Sequence, residues 1–214
     1  MTSTIDSPKR KTELFLIDLF LVCRKCQSCK LGSQPARTSG VNIEYDPHVF
    51  SNKNYSKIFV VGQNPGMTEV VESEPFVGEA GALFDMELKA NGISRLDFYI
   101  TNAVKCYTLA NERPTAESVS SCSFILHAEL AAIKPALIVT LGEMAFKVFS
   151  TLEYSSSLGT ICTSDRDLPS GPFKLFPIYH PSPKNLADST RMVKFKTQIR
   201  KLAGIVKAAK AARQ

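Results

Sequence analysis

A chain of 214 residues with 44% hydrophobic content is long enough to bury one sizeable α/β core, and nothing in its length demands a second domain. Its most apolar stretch, Leu14 to Val22, is broken by Asp18, falls well short of the roughly 20 apolar residues of a membrane span and lacks a small-residue cleavage site. Neither a membrane protein nor a secreted one is expected, and the cytoplasm with its nucleoid is the expected compartment. Lysine and arginine outnumber aspartate and glutamate 26 to 20, a formal charge of +6, which favours an anionic partner; the crowding of Lys194, Lys196, Arg200, Lys201, Lys207, Lys210 and Arg213 makes nucleic acid the first choice.

Residues 1–12 are polar with a basic cluster, Lys9-Arg10-Lys11, and read as a loose arm; residues 13–214 read as one domain. From Glu13 the positions Leu14, Ile17 and Leu21 fit one face of a helix, apolar nearly all round, that packs on a sheet with Asp18 outward. Residues 32–56 are rich in Gly, Ser, Asn, Pro and Asp, a long connection with a short strand at Gly40–Ile43 and a surface histidine, His48. Ile58-Phe59-Val60-Val61 reads as a strand buried on both faces, ended by Gly62-Gln63-Asn64-Pro65-Gly66, because Pro65 fixes its own φ and pushes Asn64 out of the helical region. A second loop, Pro75-Phe76-Val77-Gly78, precedes a helical run from Ala80 to Ala90.

Residues 97–106 read as a second buried strand ending in the polar Asn102, and Thr115 as the N-cap of a helix running to Ile133. Residues 135–142 form a third strand, 143–152 a third helix, and 174–179 a fourth strand that delivers His180-Pro181-Ser182-Pro183. A basic amphipathic helix from about Ser189 to Arg213 closes the chain. Strands alternating with helices imply an α/β three-layer sandwich, a mostly parallel four-stranded sheet with helices on both faces and the polar loops gathered at one edge. Gln63 and Asn64 then stand at a strand's carboxyl end, where open α/β sheets place their ligands.

Six cysteines in an intracellular chain point to metal binding or chemistry more than to disulfides. Cys23, Cys26 and Cys29 recur at intervals of three, Cys106 follows the second strand, Cys122 lies on the next helix and Cys162 stands apart. A single C-x2-C needs two more ligands.

With Gly62-Gln63-Asn64-Pro65-Gly66, Pro75-Phe76-Val77-Gly78, Asn102-Ala103-Val104-Lys105-Cys106 and His180-Pro181-Ser182 in order, the chain resembles the uracil-DNA glycosylase superfamily, and most of all its iron-sulfur branch, family 4. The likeness runs from Cys26 to the C-terminus. It implies a monofunctional hydrolase acting as a monomer on DNA with a flipped uracil-type base, in base excision repair, with a non-cleaving DNA- or modified-base-binding module of the same fold as the alternative. It also implies a 4Fe-4S cluster on Cys26, Cys29, Cys106 and Cys122, or a structural zinc in its place; Cys23 has the spacing to replace Cys26.

By the same resemblance Asn102 reads the uracil edge, Phe76 stacks on its face, Gln63 borders it and His180 donates to O2 as charge builds there. Asn64 orients a water without deprotonating it, since an amide is a poor base. Glu69 either stabilises the sugar cation or is a helix-start carboxylate. Ser182 holds a DNA phosphate, while Pro183 and Leu186 press into the minor groove, with Leu186 as the wedge. The branch typically carries Gly-Glu-Ala-Pro-Gly in the first loop, so Gln63 and Asn64 are departures, as are Val70, Ser73 and Lys184-Asn185.

Overall fold

The structure is a computed structural model, and it describes residues 7–37, 44–52, 56–169 and 171–212. The first helix, α1 (Pro8–Arg24), starts within the expected basic arm: Ser7 caps it by accepting from the Arg10 N–H at 3.2 Å, and Pro8 occupies the first helical position, where a missing N–H costs nothing. Its buried residues are Leu16, Leu19 and Cys23, while Leu14, Phe15, Ile17, Leu21 and Val22 are exposed. The expected face, Leu14, Ile17 and Leu21, is thus the wrong one. In a helix apolar all round, periodicity cannot choose the side.

A short antiparallel pair, β1 (Ala36–Arg37) and β2 (Glu44–Tyr45), follows; the strand expected at 40–43 lies outside the described residues. Then come β3 (Ile58–Gly62), α2 (Met67–Glu72), α3 (Glu79–Ala90), a 3-10 turn at Arg95–Asp97 and β4 (Tyr99–Asn102). Helix α4 (Ala116–Ile133) begins where expected, with the Thr115 hydroxyl accepting from the Ser118 N–H at 3.1 Å. The remainder is β5 (Leu137–Leu141), α5 (Glu143–Phe149), α6 (Tyr154–Ser157), β6 (Cys162–Thr163), β7 (Lys174–Ile178) and α7 (Ser189–Ala211).

The main sheet has five strands in the order β4-β3-β5-β7-β6. The four expected strands are its parallel part; the addition is β6, a two-residue antiparallel edge against β7. Side chains alternate across it. Phe59, Val61, Tyr99, Ile138 and Leu175 enter one core with α1, α4 and α5; Ile58, Val60, Ile100, Val139, Phe176 and Ile178 enter another with α3 and α7. Helix α1 packs chiefly on α4, so it thickens the helical layer and does not touch the sheet as its main partner.

Candidate active site at the carboxyl edge of the sheet

Strands β3 and β4 run parallel with Gly62 beside Asn102, and the pairing continues past the strands through Ala103 N–H to Gly62 O and Val104 N–H to Gln63 O, both 2.9 Å. Gly62 is a glycine because nothing larger fits: a Cβ there would lie 2.3 Å from Phe76 Cζ and 2.5 Å from Asn102 Oδ1. The Phe76 ring therefore lies over bare backbone next to the Asn102 amide. Its centroid is 6.2 Å from the His180 ring, at an interplanar angle of 41°.

Asn102 is 1% exposed, and its Oδ1 has no hydrogen-bond partner. Buried polar atoms nearly always have one, so such an acceptor marks a place where a donor from outside is meant to sit. A cleft of about 320 Å³ opens alongside, walled by Gln63, Gly142, Tyr179, His180, Asn185 and the guanidinium groups of Arg113 and Arg191. Phe76 and Asn102 are both buried and do not line that cleft; Phe76 is tied to it through its ring contact with His180.

Gln63 and Asn64 are linked amides. Gln63 Nε2 donates to Asn64 Oδ1 at 3.0 Å, and Asn64 Nδ2 donates to Pro65 O at 3.1 Å and to Thr108 Oγ1 at 3.0 Å. Both amide hydrogens of Asn64 are used, which leaves acceptor capacity on Asn64 Oδ1 and on Gln63 Oε1 for a water. Neither group is a base.

Glu69 braces the two loops. Its Oε2 accepts from the Gly66 N–H at 3.0 Å, and its Oε1 accepts from the N–H groups of Val77 at 3.0 Å and Gly78 at 2.7 Å. It is more than a helix-start carboxylate, since three backbone donors from separate segments converge on it.

His180 follows β7. Burial lowers its pKa from the usual 6.5 to about 4, against an opposing pull from the Glu69 charge. The Ser182 N–H donates to His180 Nδ1 at 3.2 Å, so the neutral ring carries its proton on Nε2 and can donate from there. Asn185 braces the same loop, donating from Nδ2 to His180 O at 2.9 Å.

Pro183 and Lys184 are exposed in that loop, and Ser182 is half-buried. Leu186 is 3% exposed and packs in the α3–α7 core. The expected wedge is thus not presented: the chain folds back into α7 right after the loop and takes the leucine inward.

His48 is a second correction. It is 7% exposed, with Nδ1 2.6 Å from Asp46 Oδ1 and Nε2 3.0 Å from Cys26 O. It ties the Asp46 loop to the cysteine turn.

Around that turn the cysteines gather. Burial pushes up the thiol pKa values of Cys23 and Cys106; at Cys23 Lys105 pulls the other way before Cys122, Glu129 and Cys26 add to the rise, and at Cys106 Cys122, Cys23, Cys29 and Cys26 all add to it. Burial likewise raises Cys122 to about 11, with Lys105 pulling the other way. Cys122 Sγ accepts from the Lys105 N–H at 3.2 Å. Among the described residues no three His, Cys, Asp or Glu side chains are grouped to hold a single metal ion. Charge interactions nevertheless link Cys23, Cys26, Cys29, Cys106 and Cys122, five thiols from three segments that form a donor set suited to a cationic, thiolate-bound group. Cys23 belongs to this set.

A charged pair that sequence reasoning missed lies behind β4. Lys105 and Glu129 are each 0% exposed; Lys105 Nζ donates to Glu129 Oε2 and Thr101 Oγ1, each at 2.5 Å, and to Asn102 O at 2.8 Å. Neither residue sits in a pattern that announces burial.

Residues 48–203 match the family model described as the uracil DNA glycosylase superfamily. A protein of Thermotoga maritima named type-4 uracil-DNA glycosylase is 37% identical over 160 residues, 74% of this chain and 77% of that one. One of the same name from Archaeoglobus fulgidus is 40% identical over 123 residues, 58% of this chain and 56% of that protein. A type-5 uracil-DNA glycosylase of Pyrobaculum aerophilum is 34% identical over 125 residues, 52% of this chain and 54% of its own. The chain thus spans little more than half the length of the Archaeoglobus and Pyrobaculum relatives.

Proposed function

The chain belongs to the uracil DNA glycosylase superfamily, and we propose that it hydrolyses the N-glycosidic bond of uracil, or of a related 5-substituted uracil, in DNA. The observation that carries this reading is the unpartnered Asn102 Oδ1, buried beside an aromatic face. Uracil offers what is missing there. Its N3–H donates to Asn102 Oδ1, its O4 accepts from the same amide's Nδ2, and its ring stacks on Phe76 once the nucleotide is flipped out of the helix.

As the C1′–N1 bond breaks, its electron pair leaves with the base and spreads onto O2. There the neutral His180 donates from Nε2, a pre-aimed contact of the kind worth about 3 kcal/mol. A water held by the free acceptors of Gln63 and Asn64 adds its hydroxyl to C1′, and its proton passes to the base anion. With two amides and no base in the first loop, the sugar cation must form before water adds. The Glu69 carboxylate, besides bracing the loops, supplies negative charge near that cation. Ser182 and Pro183, with Lys184, present the loop to the DNA backbone. The protein would act as a monomer on DNA in the cytoplasm; among the described residues no helix is long and apolar enough to cross a membrane.

Cys26, Cys29, Cys106 and Cys122 would hold a 4Fe-4S cluster, which when bound supplies a covalent tie between the segment after α1 and the loop behind Asn102. Iron analysis and a visible spectrum test this: a brown protein with a broad thiolate-to-iron band supports the cluster, and a colourless one carrying stoichiometric zinc replaces it. For the activity, purified protein is incubated with single- and double-stranded oligonucleotides bearing one uracil and then treated with alkali. Strand breaks at the uracil are expected. Tight binding without breaks, at uracil or any 5-substituted uracil, would favour the non-cleaving module, a reading that the missing base at positions 63 and 64 keeps specific.

A further inference from the structure

We propose that Arg95 is the positioning residue for the stacking ring of Phe76, an inference that rests on the reading of the pocket given above. Phe76 has φ of +56°, a left-handed backbone that a residue with a bulky side chain adopts only when its surroundings enforce it. The enforcement comes from one guanidinium. Arg95 Nη2 donates to Phe76 O at 2.7 Å and to Pro75 O at 3.1 Å, while Nη1 reaches Glu74 Oε1 at 3.3 Å and Nε faces Asp85 Oδ2 at 3.6 Å. From the other side Gly81 lets the loop settle against the first turn of α3, because a Cβ there would lie 1.8 Å from Phe76 O.

Arg95 opens the 3-10 turn that leads directly into β4. The strand that ends in Asn102 therefore also carries the group that sets the backbone of Phe76. Arg95 thus links edge reader and stacking face, which stand 26 residues apart in sequence, while Glu69 holds the following residues of the same loop. The geometry uses both terminal nitrogens of the planar fork: two successive carbonyls on Nη2 and the Glu74 carboxylate on Nη1. A lysine ammonium has the charge but not the fork. The Asp85 arm is the loose one, since Arg95 Nε and Asp85 Oδ1 are buried without hydrogen-bond partners.

The test is a double-mutant cycle with Arg95→Ala and Phe76→Ala, read as single-turnover cleavage of a uracil oligonucleotide with saturating enzyme and as kcat/KM. Arg95→Ala should cost on the order of 10- to 100-fold in kcat/KM when Phe76 is present, the scale of a small misplacement at a reacting centre, and less than about 2-fold when Phe76 is already Ala. Arg95→Lys should stay within about 3-fold of Arg95→Ala, because the fork is what matters. Should Arg95→Ala fail to fold, Arg95→Lys carries the same cycle. Equal losses in both backgrounds, or a lysine variant with wild-type rates, overturn the proposal while the wild-type activity upholds the pocket. A wild-type protein silent on every uracil substrate refutes the pocket, and this role of Arg95 with it.

Discussion

Two polar sites lie back to back at the end of β4 and solve opposite problems. Behind the strand, Lys105 and Glu129 are both wholly buried and wholly engaged: three acceptors surround the ammonium, and Glu129 Oε1 takes the Tyr99 hydroxyl at 2.8 Å and lies 3.0 Å from that of Thr101. Burial raises the Glu129 pKa, and Lys105 and the two hydroxyls pull against it. In front, Asn102 is almost as buried, yet its Oδ1, packed against Gly62, has no hydrogen-bond partner. The two sites share a residue, since Lys105 holds the main-chain carbonyl of Asn102. A satisfied buried network fixes the scaffold, and the atom it leaves unsatisfied is where a ligand completes the structure.

The largest expected effect breaks the rear site. Glu129→Ala leaves the Lys105 ammonium buried without its counterion, and loss of one partner of such a pair costs about 3–5 kcal/mol. Urea unfolding should show that loss as a lower midpoint with an unchanged slope. A midpoint within error of wild type would mean that the pair is not the scaffold argued here. Activity at low temperature, in the fraction still folded, should fall much less than stability.

Asn102→Ala inverts the pattern. It removes an acceptor that no protein group uses, so stability should fall by no more than about 1 kcal/mol, well short of the Glu129→Ala loss. Cleavage should fall on the order of 10²- to 10³-fold, the scale on which a pre-aimed polar contact acts. Non-specific DNA affinity, measured on an oligonucleotide without uracil, should be unchanged. If stability falls by more than that limit along with activity, Asn102 is part of the scaffold and the distinction between the two sites fails.

The front site was far more legible in the sequence than the rear one. Gly62, Phe76 and His180 sit in or beside loops punctuated by Gly and Pro, whose constraints on backbone shape can be read one residue at a time, whereas Asn102, the last residue of β4, was singled out by the family resemblance. Lys105 and Glu129 are 24 residues apart, and nothing in either stretch says that the other will bury it. Arg95 stayed hidden for a related reason: it acts on main-chain carbonyls, which carry no side-chain signature. Leu186 and the helix α1 failed differently. Both are apolar in surroundings where apolar residues point several ways, and only packing against α7 and α4 decides which are covered.

The smallest expected effect sharpens the front site by pH. His180 has a folded pKa of about 4 against the usual 6.5, and the Ser182 N–H occupies the nitrogen that a second proton would need. In folded protein the ring therefore stays neutral from pH 8 down to about 5. Single-turnover rates over that range should vary by less than about 2-fold, whereas catalysis by an imidazolium would rise as the pH fell through 6.5. Stability behaves otherwise. Below 6.5 the unfolded chain takes up the proton and the folded protein does not, so this contribution is complete above 6.5, declines as pH falls toward 4 and is gone below it. His180→Ala should flatten that part of the stability curve. A rate limb near 6.5 that disappears in His180→Ala would show instead that the charged ring is the working form, and the donor assignment at Nε2 would have to be given up.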